Sequence, residues 1–179
     1  MATPLSFNYK IIQGKMASTN IKMLNNTGNN KQSDECYTPI EAIKPIVQYL
    51  DKKKSWYEPT SLISKNIVNY LNLVDINTIE AKDEDFLTSF YKDYDAIITN
   101  PPYSIKDKFI EKCYNTGKPF ALLLPVSALQ GQKRGMLFSK YGLELLVLNK
   151  RIDFTGKGSP HFGVAWFCHN ILPKEIIFY

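Results

Sequence analysis

Asp95-Ala96-Ile97-Ile98-Thr99-Asn100-Pro101-Pro102-Tyr103-Ser104 is the stretch on which the reading of this chain turns. Residues 95–99 read as a buried strand that runs straight into Asn100. Two prolines follow. They fix the backbone and leave no N–H at either position, so the strand stops there. A rigid loop of this kind holds a side-chain amide (Asn100), a backbone carbonyl (Pro101) and an aromatic face (Tyr103) in set positions. Ser104 is placed to cap the next helix, in which Ile105, Phe109, Ile110 and Cys113 share a face and Gly117 supplies the stop. Residues 119–125 (Pro-Phe-Ala-Leu-Leu-Leu-Pro) then form a continuous apolar run of strand length, as expected for a parallel strand covered on both faces.

Outward from this core the pattern repeats. Thr38-Pro39-Ile40-Glu41 reads as a capping box, with Thr38 as cap, and Ile40, Ile43, Ile46, Val47 and Leu50 mark one apolar helix face. After Lys52-Lys53-Lys54, residues 55–59 read as a strand, 64–72 as a helix and 73–79 as a strand. Residues 143–148, 164–168 and 175–178 supply further strands. Alternation of strand and helix over short connections predicts an α/β sheet, mostly parallel, and the strand-rich end predicts a late antiparallel strand. Trp56 and Trp166 fall within strands and are expected in the core.

A chain of 179 residues accommodates one well-packed domain. Residues 1–33, polar and Asn-rich apart from a short strand pattern over 5–12, read as a flexible arm, leaving 34–179 as the folded domain. No apolar run is long enough to span a bilayer and no secretory core is present, so the expected setting is cytoplasmic, without a membrane partner. Cys36, Cys113 and Cys168 are far apart and form no C-x-x-C pair, which reads as reduced thiols. His161 and His169 lie in no metal-ligand spacing, and no metal is expected. The net charge of +5 suits a nucleic-acid partner but does not require one.

Ligands of open α/β sheets bind beyond the carboxyl ends of the strands, where Asn100 is expected. The Asn100 side-chain oxygen and the Pro101 carbonyl can accept hydrogen bonds from an exocyclic amine, raising electron density on its nitrogen, while Tyr103 stacks on the base. Such a pocket takes a base flipped out of a duplex. On these residues the sequence resembles class I, S-adenosylmethionine-dependent amino-methyltransferases, above all adenine-N6 DNA enzymes of phages and mobile elements. The resemblance extends through Lys118-Pro119-Phe120-Ala121-Leu122-Leu123-Leu124-Pro125, Asn149-Lys150-Arg151-Ile152-Asp153-Phe154 and Ala165-Trp166-Phe167. Upstream it includes Glu35-Cys36-Tyr37-Thr38-Pro39, so it covers roughly 34–179. It implies a Rossmann-like sheet in a single domain, with S-adenosylmethionine as methyl donor. It also implies methyl transfer to adenine N6 in DNA, with Asn100, Pro101, Pro102 and Tyr103 as catalytic candidates. The same motif serves RNA adenine and protein glutamine methyltransferases.

One departure stands out. Members of this family bind the methyl donor with a Gly-rich turn after the first strand, where glycine lets backbone approach the cofactor closely. This chain has Glu58-Pro59-Thr60-Ser61-Leu62-Ile63-Ser64, and no glycine occurs between Gly28 and Gly117. Leu62 and Ile63 are expected to crowd that site. The cofactor-side candidates are Tyr37, Thr38, Glu58, Pro59, Glu80, Asp85 and Phe86, with Asp75 as the alternative to Glu80 for the ribose hydroxyls. A non-catalytic protein of the same fold, which binds nucleic acid or regulates a partner, is the competing reading. Lys133, Arg134, Lys150, Arg151 and Lys157 follow strands ending near the site. They read as phosphate contacts or as solvated charge. Residues 156–161 form a loop that can close on DNA or cofactor and lack the spacing of a phosphate-binding P-loop. Little of the chain is left for a separate target-recognition domain, so loops or a protein partner are expected to supply sequence preference.

Overall fold

The most apolar segments set the centre of the sheet. In a computed structural model that describes residues 37–82, 85–156 and 162–179, the run over 120–125 is strand β4 (Phe120–Pro125), buried from Phe120 through Leu124. Before it come helix α1 (Ile40–Val47), β1 (Trp56–Glu58), α2 (Asn66–Leu73), β2 (Thr78–Glu80), β3 (Ala96–Thr99) and α3 (Lys106–Thr116). After it come α4 (Gln132–Tyr141), β5 (Glu144–Val147), β6 (Val164–His169) and β7 (Ile176–Phe178). The arm expected over 1–33, together with Cys36, Lys157 and His161, lies outside the described residues.

The strands form one seven-stranded sheet in the order β2-β1-β3-β4-β6-β5-β7. Strands β2, β1, β3 and β4 pair in parallel. Only β6 runs the other way, antiparallel to both β4 and β5, while β7 pairs parallel with β5. This is the expected mostly parallel α/β domain with its late antiparallel strand. One face of the sheet presents Tyr57, Ile97, Phe120, Leu122, Leu124 and Phe167 to Phe109, Ile110, Cys113 and Tyr114 of α3. Strand alternation puts Trp166 on the other face, where its indole N–H donates to Ala42 O of α1 at 2.7 Å. Both Trp56 and Trp166 are core residues.

Local expectations gave way where tertiary partners were stronger. Thr38 does not cap α1. The helix starts one residue later than expected, with extended Pro39 as its N-cap and no side-chain cap bond. It ends at Val47, and single turns closed by Tyr49 and Leu50 N–H groups carry the chain onward. Ser104 likewise does not cap α3, because a 3-10 turn over Tyr103–Ile105 intervenes. Gly117 ends α3 as expected, in the left-handed conformation at φ 67°. Residues 73–77 extend and close α2 rather than opening β2. The charged stretch from Gln132, which its sequence assigned to no element, is the first turn of α4. Its inward side is only Arg134, Leu137 and Phe138, too sparse a stripe to stand out beside a charge run.

Candidate functional site

Strand β1 pairs with β2 on one side and β3 on the other, so the chain leaves the sheet in opposite directions beyond β1 and β3. Such a switch point opens a crevice at the carboxyl edge, the ligand position of open α/β sheets. The residues that finish these two strands are polar although their strands are wholly buried. Glu58 and Thr99 are each 0% exposed.

Glu58 Oε1 accepts three hydrogen bonds: from the Thr60 N–H at 3.1 Å, the Thr60 hydroxyl at 2.7 Å and the Thr99 hydroxyl at 2.5 Å. The two hydroxyl oxygens are 2.8 Å apart. Oε2 is buried and has no hydrogen-bond partner among the described residues. Burial pushes the Glu58 carboxyl up from 4.5 to about 7, helped by the nearby Glu80 charge and opposed by the bonds from Thr99 and Thr60. Desolvation wins because only one of the two oxygens is solvated by the protein.

Glu80 ends β2 in register with Glu58. It is exposed and binds Lys65 Nζ at 2.6 Å. Ser61, in the turn between β1 and α2, accepts the Ala81 N–H at 2.6 Å and ties that turn to the end of β2. Leu62 and Ile63 are 61% and 40% exposed, so they do not fill the buried space around Glu58.

Beyond β3, Asn100 Nδ2 donates to Thr38 Oγ1 at 3.0 Å, and the Thr38 carbonyl accepts from Asn66 Nδ2 at 3.0 Å. The Thr60 hydroxyl lies 3.5 Å from the Asn100 carbonyl oxygen. Pro101 is buried and Pro102 half-buried. Tyr103 opens the 3-10 turn, and its carbonyl accepts Lys106 Nζ at 3.0 Å. Its ring meets Phe162 edge-on at 5.8 Å between centroids, and Phe162 stacks on Phe154 at 6.2 Å.

The structure therefore gathers Thr38, Glu58, Pro59, Glu80, Asn100, Pro101, Pro102 and Tyr103 at one edge. Tyr37 adjoins them in sequence and is partly exposed. Other candidates have different placements. Asp85 caps its own turn by accepting the Leu87 N–H at 3.0 Å. Phe86 packs into the core against Phe109 at 5.3 Å. Asp75 sits in the left-handed turn after α2, at the opposite end of β2 from Glu80. Lys133, Lys150 and Arg151 are exposed at the ends of connections leaving β4 and β5, on the site's edge of the sheet. Arg134 is engaged. It pairs with Asp107 at 2.5 Å, donates to Ala128 O at 2.7 Å and also donates to Gln130 O. Sequence reasoning missed Thr60, Thr99, Asn66 and Phe162. Thr99 had a signal, a polar residue closing an apolar strand; Asn66 had none.

No protein-family model matches the sequence, and no curated protein matches it either. Its fold is nonetheless shared with solved methyltransferases. A class I S-adenosylmethionine-dependent methyltransferase from Listeria monocytogenes superimposes with a TM-score of 0.54 at 15% identity, over 97% of this chain and 73% of that one. The methyltransferase subunit of a type I restriction-modification system from Streptococcus thermophilus gives 0.52 at 16% identity, over 83% of this chain. The chain spans 48% of that subunit's length, about half of it. An RNA methyltransferase from Pyrococcus horikoshii gives 0.50 at 10% identity, over 87% of this chain and 98% of its own. The fold is that of the class I methyltransferases. Among the described residues no helix is long and apolar enough to cross a membrane.

Proposed function

We propose that this chain transfers a methyl group from S-adenosylmethionine to the N6 amine of adenine in DNA. One observation carries the reading: Asn100-Pro101-Pro102-Tyr103 leaves β3 beside the buried Glu58 of β1, at the switch point of a methyltransferase sheet. The residues present fit the donor. Glu58 Oε2 is a buried acceptor with no hydrogen-bond partner among the described residues, and Glu80 stands in register at the next strand end. An amino group and ribose hydroxyls are the donors such acceptors take. Glu58, Glu80 and Pro59 would hold the cofactor, with Tyr37 at the margin. When bound, S-adenosylmethionine supplies an electrophilic methyl group.

The chain's own work is orientation. Asn100 Oδ1 and the Pro101 carbonyl accept hydrogen bonds from the two amine N–H groups and turn the nitrogen lone pair toward the donor, and the amine releases one of those protons to solvent once it is methylated. Tyr103 stacks on the base, and its ring is itself held by Phe162. Lys133, Lys150 and Arg151, with Lys157, supply sequence-independent phosphate contacts, which position the duplex without reading it. A protein partner that reads the target sequence remains part of this reading.

Calorimetric titration with S-adenosylmethionine and S-adenosylhomocysteine tests the cofactor half, with micromolar binding expected. Labelled methyl groups should then enter adenine in duplex DNA, and Asn100→Ala should abolish transfer while leaving the circular dichroism spectrum intact. Methylated RNA or peptide with unmodified DNA would refute the substrate. The glycine-free turn after Glu58 favours one second reading, a non-catalytic protein of this fold. A folded protein that ignores the cofactor yet binds DNA in a salt-sensitive way would establish it.

A further inference from the structure

The Asn100 side chain can serve the proposed chemistry in only one of its two amide orientations. A half-turn about its last bond exchanges an acceptor for a donor. With NH2 facing the substrate amine, two donors would oppose each other. The amide must therefore be held where its oxygen can reach the base.

Thr38 occupies the position to do so. Its hydroxyl oxygen accepts Asn100 Nδ2 at 3.0 Å across 62 positions of sequence. At 2% exposure, its side chain has almost no water to compete for that bond. Thr38 is held in turn: its carbonyl accepts Asn66 Nδ2 at 3.0 Å, from the first residue of α2. Segments before α1, at the start of α2 and after β3 thus meet through two hydrogen bonds. The helix that follows Thr38 has no side-chain cap. A Thr before a helix ordinarily caps it, and here the hydroxyl serves Asn100 instead of its own helix.

Resting on the reaction proposed above, we propose that Thr38 is a positioning residue that holds the Asn100 amide at the mouth of the site, and that Asn66 holds Thr38 in place. The assignment gives the motif a second partner besides its prolines. The prolines fix the loop backbone, and Thr38 fixes the rotamer that the backbone leaves free.

Thr38→Val keeps the shape and removes the acceptor, while Thr38→Ser keeps the acceptor. Thr38→Val should lower kcat by roughly 10- to 100-fold through misplacement of the amine, with KM for S-adenosylmethionine changed less than about threefold. Thr38→Ser should recover most of that loss. The second readout needs no activity: the side-chain 15N–1H pair of Asn100, identified by its loss in Asn100→Asp. In Thr38→Val this pair should shift and exchange faster with solvent; in Thr38→Ser it should stay close to its original position. If Thr38→Val does not fold, Asn66→Ala must displace the same resonances in the same direction. An unmoved Asn100 pair overturns the assignment. So does an intact kcat with a raised cofactor KM, which would make Thr38 a cofactor contact only. A protein without methyl transfer refutes the reaction, and the amide resonances then decide the role of Thr38 alone.

Discussion

Replacing Glu58 with Gln should stabilise the protein in alkaline solution relative to acidic solution, by an amount fixed by the burial of this one carboxyl. The carboxyl titrates at about 7 in the folded chain and near 4.5 when exposed. Between those values the folded state holds a proton that the unfolded state has released, so stability falls as pH rises through the window. Below about 4.5 the contribution vanishes; above about 7 it is fully present as a cost. The gap between 4.5 and about 7, at about 1.4 kcal/mol for each pH unit, comes to about 3 kcal/mol. The substituted amide would stay neutral throughout and could still offer one oxygen to Thr60 and Thr99.

Its NH2 would meet the space around Oε2, where no partner stands among the described residues. That adds a cost of about 1–3 kcal/mol, but one independent of pH. The diagnostic is therefore the difference between the two proteins at each pH, since every other titrating group cancels. Urea denaturation followed by circular dichroism from about pH 4.5 to about pH 8 should show that difference moving by about 3 kcal/mol in favour of Glu58→Gln. With a slope near 2 kcal/mol/M this is about 1.5 M urea. A flat difference would falsify the account, because it would mean that Glu58 is solvated or paired in a way its surroundings do not show.

Other residues make separate demands. Tyr103→Ala should weaken binding of an adenine-containing oligonucleotide by about 1–3 kcal/mol of lost stacking while Tyr103→Phe keeps it; fluorescence anisotropy compares the two, and equal affinities would dismiss a stacking role. Arg134→Gln should destabilise the fold by about 1–3 kcal/mol, since a side chain only 13% exposed loses its Asp107 partner. Lys133→Gln, next to it and exposed, should stay within about 0.5 kcal/mol in the same urea titration. Neutralising Lys150 and Arg151 together should reduce the dependence of log K on log salt by up to about 2 for duplex DNA. An unchanged slope would return both to the solvated surface.

The sequence announced the centre of the sheet because its central strands are nearly continuous apolar runs. Phe120 to Leu124 are all buried, as are all four residues of β3, and such runs need no partner information to be read. Asn100 was legible for the same reason: two prolines behind an apolar strand have few structural explanations. What stayed hidden depends on pairings across long separations. Thr38 looks locally like a helix cap, and only the fold brings Asn100 within 3.0 Å of it. Phe86 reads like a site residue from its neighbours, yet Tyr57 and Phe109 claim it for the core. Helix α4 was masked by its charge, because Arg134 turns inward to Asp107 and its apolar stripe is short.

The missing glycines follow from how the turn after β1 is built. A Gly-rich turn works by offering bare backbone, often in conformations that other residues resist. Residues 59–65 include no positive-φ residue. They curl through right-handed turns instead, with the Ser61 N–H on Glu58 O at 3.3 Å and the Ile63 N–H on Thr60 O at 2.9 Å. Hydroxyls do the bridging that close backbone approach does elsewhere. Thr60 holds Glu58 and reaches Thr99, while Ser61 holds the end of β2. The bulky Leu62 and Ile63 then cost nothing sterically, since the curl carries them toward solvent. A turn of this kind depends on its hydroxyls as a Gly-rich turn depends on its glycines. Substitution of Thr60 by Val should therefore remove one of the two hydroxyl donors to Glu58, leaving that of Thr99, and drive the Glu58 pKa further upward, which the same pH-dependent urea titration would register as a cost that sets in at higher pH.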